Sequence, residues 1–307
     1  MLKTGQSATV ILLLLFIFHS CADQSNPMLH LDIQGHRGCR GLMPENTVPA
    51  FIKAIDLGVH TLEMDVVVNQ YDEVIVSHEP FFNHEITMKP DSTVVSKSEE
   101  MTLNIYPMSL VEIQSYDVGL REHPRFPLQQ NISAIKPTLA HVVESAERHI
   151  LLEQNEAIKY NIEIKRKPEW DGIYHPSMED FVQIVVGEIA LLGIEQKTTV
   201  QCFDVETLIY IDEKYPDIKL VYLVENGESP QDNLDKIGFV PEIYSPMYSL
   251  VNADLVKYCK DEGMRLIPWT VNDANAIEQM IDLGVDGIIS DYPDRVVEIM
   301  ESRSVTR

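Results

Sequence analysis

Five side chains frame the chemical question in this sequence: His36, Glu63, Asp65, His78 and Glu163. Side chains two apart on a strand share a face. In Thr61-Leu62-Glu63-Met64-Asp65-Val66 the two carboxylates therefore point together, while Leu62, Met64 and Val66 point the other way. Carboxylates turned into one confined space repel and are poorly solvated unless a cation or protons neutralise them. Asn161-Ile162-Glu163-Ile164-Lys165 repeats the layout, with a third carboxylate and a positive charge on one face. Three carboxylates, with water and substrate oxygens, make the hard-oxygen shell that Ca²⁺ or Mg²⁺ takes. Zinc fits less well, because the histidines are wanted for proton transfer and no cysteine cluster is present. Spacing alone leaves a second reading open, in which Glu163 and Lys165 form a buried ion pair and Glu63 and Asp65 line a wet channel.

The segment Gly35-His36-Arg37-Gly38-Cys39-Arg40-Gly41-Leu42-Met43-Pro44-Glu45-Asn46-Thr47 follows a β-type run, so His36 falls at a strand end. Gly38 and Gly41 permit a tight backbone path, and Pro44 suits a first helical turn. A strand-end histidine is placed for proton transfer or, alternatively, for a backbone hydrogen bond in a turn. The planar fork of Arg37 suits a phosphoryl oxygen, and Glu45 suits the start of a helix. His78 closes the run Val74-Ile75-Val76-Ser77. Two histidines near a cation can divide proton transfer, one taking the nucleophile's proton and the other giving one to a leaving alkoxide.

The elements that must position these groups alternate in type. From Leu31 onward, short β-type runs alternate with amphipathic helical stretches, the pattern of parallel βα units. Strands are expected at 31–35, 60–68, 160–165, 199–203, 219–223, 242–245, 265–271 and 287–290. Helices are expected at 45–57, 177–192, 205–214, 253–262, 274–283 and after Pro293. Closure at eight units favours an α/β fold of the TIM-type (β/α)₈ class over an open sheet. Between His78 and about Pro137 the chain runs far longer than an ordinary loop, which predicts an inserted subdomain at about 79–136. It is either a lid at the catalytic mouth or a surface elaboration.

The 307 residues carry 24 basic and 48 acidic side chains, a formal charge of −24. That balance repels nucleic acid and anionic membrane surfaces at long range. An anionic substrate is still accepted if a cation is fixed locally. At the amino terminus Lys3 precedes an apolar run from Val10 to Phe18 that is shorter than the about 20 residues a membrane span needs. We expect a signal at 1–21, a polar tether at 22–29 and a catalytic domain at 30–307. Cys21 is the expected lipidation site, with the protein exported and held at a bacterial membrane only by that anchor. Cys39, Cys202 and Cys259 then remain, without a Cys-x-x-Cys pair.

Taken in order, several motifs resemble those of the glycerophosphodiester phosphodiesterase family over about residues 30–300. They are His36-Arg37-Gly38 through Thr47, Glu63-x-Asp65, His78, Pro137-Thr138-Leu139, Asn161 to Lys165, Gln201-x-Phe203-Asp204, Trp269-Thr270-Val271-Asn272 and Gly284 to Pro293. Two positions depart from the family pattern, with Glu79 where Asp is usual and Cys202 where Ser is usual. The resemblance implies a TIM-type barrel with one Ca²⁺ or Mg²⁺ held by Glu63, Asp65 and Glu163. It further implies His36 and His78 as the acid/base pair, and Arg37 and Lys165 on phosphate. Glu45 and Gln201 would stand near the metal or substrate, and Trp269 against the glycerol or alcohol unless it is barrel filling. The implied reaction is hydrolysis of a small-molecule glycerophosphodiester to an alcohol and glycerol 3-phosphate. A lysophospholipase D or phosphoinositide phosphodiesterase on the same barrel is the alternative. A non-catalytic surface lipoprotein binding phosphodiesters or carbohydrate is a third reading, disfavoured because a binder has no need of two strand-end histidines beside three carboxylates.

Overall fold

The computed structural model describes residues 31–305; Cys21 and the expected signal and tether lie outside them. Nine strands form one sheet: β1 (Asp32–Gly35), β2 (Thr61–Val68), β3 (Val74–Val76), β4 (Lys159–Ile164), β5 (Thr198–Cys202), β6 (Lys219–Val224), β7 (Ile243–Pro246), β8 (Arg265–Leu266) and β9 (Gly287–Ser290). The order is β8-β7-β6-β5-β4-β2-β1-β9, all parallel, with β3 added antiparallel to β2. Backbone hydrogen bonds carry the sheet round from β8 to β9. Asp286 N donates to Leu266 O at 2.9 Å, Ile289 N to Pro268 O at 3.0 Å and Val271 N to Ile289 O at 3.0 Å. The result is a nearly closed parallel barrel of eight strands, the TIM-type architecture.

The alternation read from the sequence has a direct structural counterpart. Every residue of β2 is buried. Leu62, Met64, Val66 and Val68 pack outward in the main core under the helices, whereas Glu63 and Asp65 face the barrel interior. That interior is divided. Val221, Ile243, Ile267 and Ile289 make a small apolar layer against Trp269, and the opposite wall is polar. There Asn161 Nδ2 donates to Gln34 Oε1 at 2.9 Å and to Gln201 Oε1 at 3.0 Å.

Outside the barrel lie α1 (Val48–Asp56), α2 (Leu110–Ile113), α3 (Leu139–Glu153), α4 (Met178–Leu191), α5 (Val205–Lys214), α6 (Pro230–Ile237), α7 (Ala253–Asp261), α8 (Ala274–Leu283) and α9 (Pro293–Val305). Asp204 and Asn252 cap α5 and α7 by accepting from Thr207 N and Leu255 N. The first expected helix starts later than read. Pro49, after the Thr47 N-cap, occupies its first turn, and Pro44 and Glu45 stay in the preceding turn. The strand expected at 265–271 shortens to two residues, because Pro268 has no N–H to continue the ladder.

The segment between β3 and α3 has a core of its own, built on Val67, Ile75, Phe82, Ile86, Ile105 and Ile113. It folds back on the loop after β1. Gln129 Nε2 donates to Arg40 O at 2.7 Å, Gln130 N donates to Leu42 O at 2.8 Å, and the Phe126 ring lies 4.7 Å from the Arg40 guanidinium. Cys39, Cys202 and Cys259 are buried and free.

Candidate active site

The C-terminal ends of β1, β2, β4 and β9 converge on one acidic centre. One ligand atom from each of Glu63, Asp65 and Glu163 lies within 4.8 Å of the other two, and all three residues are buried. Backbone pairing of Asp65 with Glu163 across β2 and β4 causes this, because in-register parallel neighbours present side chains to the same face. Each carboxylate is held from behind. Glu63 accepts from Gln201 Nε2 at 2.6 Å and from the Arg37 backbone N–H at 2.8 Å. Asp65 accepts from Asn46 Nδ2 at 2.8 Å, and Glu163 from Lys165 Nζ at 2.7 Å. Arg37 has a φ of 51°, in the left-handed region, and this twist aims its N–H at Glu63. The next residue, Gly38, has a φ of 85°, and any Cβ there would stand 2.7 Å from Ala50.

The charge of the centre is incompletely met within the protein. Burial, reinforced by Asp65 and Glu163, holds the Glu63 carboxyl well above its usual range. Burial likewise pushes Glu163 up to about 7, against the pull of Lys165. For Asp65 burial acts in the same direction but is outweighed by Arg37, His78 and Lys165, which keep it ionised. Its Oδ1 is buried with no hydrogen-bond partner. Three carboxylates offering oxygens to one point, one oxygen without a hydrogen bond and met only by the Lys165 ammonium at 3.7 Å, fit a hard divalent cation. The Glu163–Lys165 pair foreseen as the alternative is present too, within the same cluster.

Two imidazoles flank the centre, each oriented by a carboxylate. His36 places Nδ1 2.6 Å from Asp291 Oδ1, and its Nε2 is 4.0 Å from Glu63. Burial lowers its pKa to about 4 despite Asp291, so the ring is neutral at pH 7. His78 places Nδ1 2.7 Å from Glu79 Oε1, with Nε2 3.0 Å from Lys165 Nζ. Burial, with Arg37 and Lys165 adding to it, lowers its pKa as well. His36, Arg37, His78 and Lys165 line a single cavity of about 210 Å³ with Gln201 and Trp269.

The remaining expected residues sort by position. Glu45 stands outside the three-carboxylate cluster and accepts from Arg37 NH1 at 2.8 Å, so it orients that guanidinium. Burial disfavours its charge, but Arg37 and Arg40 win and bring its pKa down to about 2. Gln201 fixes Glu63. Trp269 donates from Nε1 to Ser245 O at 2.8 Å and meets Phe203 edge-on at 5.4 Å. Four contributors carried no role in the sequence reading. Asp291 is gripped by Arg40 Nε at 2.9 Å and by Asn272 Nδ2 at 2.7 Å. Asn46 holds Asp65, Glu79 holds His78, and the buried Lys136 donates to Ser77 Oγ at 2.6 Å beneath it. Asp291 had a readable signal, since it directly follows a strand at the end that bears the site.

A family model described as the glycerophosphoryl diester phosphodiesterase family matches residues 36–295, a span that contains every residue of this centre. The chain belongs to that family. It is therefore an enzyme, a phosphoric diester hydrolase acting on glycerophosphodiesters. The enzyme is 28% identical to a glycerophosphodiester phosphodiesterase of Caldanaerobacter subterraneus subsp. tengcongensis, over 86% of this chain and 96% of the relative. It is also 28% identical to one of Bacillus altitudinis, over 88% and 98%. A solved structure from Silicibacter pomeroyi DSS-3, provisionally given the same family name, superposes with a TM-score of 0.80 at 27% identity, over 89% of this chain and 94% of that one. An Oleispira antarctica phosphodiesterase solved with its product sn-glycerol-3-phosphate shares the fold, with a TM-score of 0.67 at 18% identity over 89% and 98%.

Proposed function

We propose that the enzyme hydrolyses small glycerophosphodiesters to an alcohol and glycerol 3-phosphate, the product held by the Oleispira protein, with one Ca²⁺ or Mg²⁺ bound by Glu63, Asp65 and Glu163. One observation carries this reading: the three buried carboxylates meet at one point between two imidazoles, with an oxygen of Asp65 that no hydrogen bond satisfies. The cation, when bound, supplies charge neutralisation for the phosphate and a lowered pKa for the attacking hydroxyl. Arg37 and Lys165 hold the phosphate oxygens; Glu45 keeps the Arg37 fork in plane, and Glu163 keeps the Lys165 ammonium in place. A glycerol hydroxyl adjacent to the ester is already near phosphorus, so its attack gains from proximity. That attack forms a cyclic phosphate and breaks the bond to the alcohol, and water then opens the ring.

His36 and His78 divide the proton transfers. Each is tethered through Nδ1 to a carboxylate, which turns Nε2 toward the reacting groups; at His78 that nitrogen is shared with Lys165 Nζ, 3.0 Å away, until the phosphate draws the ammonium off. One imidazole takes the hydroxyl proton, and the other returns a proton to the departing alkoxide. A product-resolved assay on glycerophosphocholine, glycerophosphoethanolamine and glycerophosphoinositol tests this. His36→Ala and His78→Ala should each lose about 10²–10⁴-fold in turnover with native circular dichroism. Near-native rates in either variant would overturn the assignment.

A further inference from the structure

The insertion ends on a buried cation, Lys136, that does not line the catalytic cavity. Lys136 is 4% exposed, and its ammonium makes one hydrogen bond, donating to Ser77 Oγ at 2.6 Å. Among the described residues it forms no ion pair within 4.0 Å. A lysine that only filled space here would be costly, because burial opposes its charge and an apolar side chain of similar length would pack as well.

The position of this ammonium is fixed from several sides. Pro137 O accepts from Val76 N at 2.8 Å and Thr138 bridges Ile75, which pins the end of the insertion alongside β3. Nζ stands 5.6 Å from the centre of the Phe82 ring, itself stacked on Tyr116 at 4.0 Å in the insertion's core. Burial lowers the pKa of Lys136, while Glu79, Glu45 and Asp65 pull the other way; those three carboxylates are the charges it faces, with Arg37 opposing them.

What Lys136 reaches is the turn that presents His78. Ser77 N donates to Asp65 O at 2.9 Å, and Ser77 Oγ donates to Glu79 O at 2.6 Å across His78. A hydroxyl carries one proton, so with Lys136 donating to the Ser77 oxygen that proton is committed to Glu79 O. Glu79 in turn holds His78 Nδ1 at 2.7 Å. Burial disfavours charge on Glu79, but His78, Arg37 and Lys136 outweigh it and keep the carboxyl well below its usual range. A continuous series of hydrogen bonds thus runs from Lys136 to the imidazole, each setting the direction of the next.

We propose that Lys136 is a positioning residue for the hydrolysis: through Ser77 and Glu79 it aims the His78 ring at the reacting oxygens, and its fixed charge moderates the pull of the acidic centre on the cation. The inference rests on the phosphodiesterase reading above and gives the insertion a part in the chemistry. Lys136→Met keeps the length and removes both the charge and the hydrogen bond. On glycerophosphocholine with Mg²⁺ supplied, kcat should fall about 10–100-fold while KM stays within about threefold. Calorimetric titration of the chelator-stripped protein with Mg²⁺ should show binding at least about twofold tighter than in the parent, because a repelling charge has gone. The urea midpoint should not fall. This combination separates positioning from support of the fold, since lost support would weaken cation binding along with turnover.

Ser77→Ala interrupts the same line by a second route. It should lower kcat as well, and the double variant should lose no more than the larger single loss, within about threefold. A kcat for Lys136→Met within about threefold of the parent's would overturn the role of Lys136 and leave the phosphodiesterase reading standing. Weaker Mg²⁺ binding with a lower urea midpoint, or losses that multiply in the double variant, would overturn it in the same way. A parent enzyme that turns over no diester with the cation supplied would overturn the phosphodiesterase reading and the positioning role with it.

Discussion

Asp291 and Glu79 perform the same task for the two imidazoles, fixing Nδ1 so that Nε2 faces the cavity, one from 255 residues away and the other as the adjacent residue. Asp291→Asn removes the charge that opposes burial at His36, whose pKa of about 4 would fall further and leave a weaker base. Turnover should drop about 10²-fold or more with the fold intact, and a loss under threefold would show that the tether is dispensable. Glu163 makes a second prediction at this scale. Its carboxyl rises from an ordinary 4.5 to about 7 in the cation-free protein, chiefly through burial. The folded state therefore keeps a proton there between those pH values that the unfolded chain releases. This contribution to stability is full below about 4.5 and is lost as pH rises to about 7. A cation must displace this proton and the one that burial holds on Glu63, so affinity for Ca²⁺ or Mg²⁺ should climb with pH through about 7, with proton release on binding. Titration calorimetry in buffers of different ionisation enthalpy measures both, and affinity flat from about pH 5 to about pH 8 would contradict the assignment.

At the scale of elements, the site depends on caps and turns that also carry stability. Asp204 caps α5 through Thr207 N at 2.9 Å and binds Arg166, the residue after Lys165, at 2.5 Å. Asp204→Ala should cost about 1–3 kcal/mol, read as a lower urea midpoint, while cation affinity stays native. A variant as stable as the parent would mean that the cap is satisfied elsewhere. Elements of this kind were legible to different degrees. The alternation in 61–68 and 160–164 fixes which side chains enter the barrel, since burial of the apolar set leaves the carboxylates no other face. Helix α6 is faint in the sequence although Ser229-Pro230 and Gly238 mark its ends, because its middle is polar and Leu234 and Ile237 are the apolar side chains it buries, beside Asn233. Helix α3 is equally hard to see in the sequence, because its Thr138 cap lies inside the Pro137-Thr138-Leu139 motif. β8 was overextended because the apolar run hid the effect of Pro268.

The whole molecule joins a barrel whose interior is half apolar and half polar to an insertion that packs on the loop after β1. Pairings such as His36 with Asp291, 255 residues apart, arise only when the first and last strands close the barrel. Strand count made that closure foreseeable, but no local pattern could say that Asp291 would meet His36, whereas Glu79 meets His78 as its neighbour in sequence. The −24 charge makes a locally neutralised centre all the more necessary for an anionic substrate.

Direct measurement of bound ion together with turnover tests the central claim most closely. Enzyme stripped with chelator should turn over no glycerophosphocholine. Titrated with Mg²⁺ or Ca²⁺, it should bind one ion per chain with activity rising in proportion, and Glu63→Gln, Asp65→Asn and Glu163→Gln should bind at least about tenfold more weakly. Full turnover in the stripped enzyme, or undiminished ion binding in all three variants, would contradict the account.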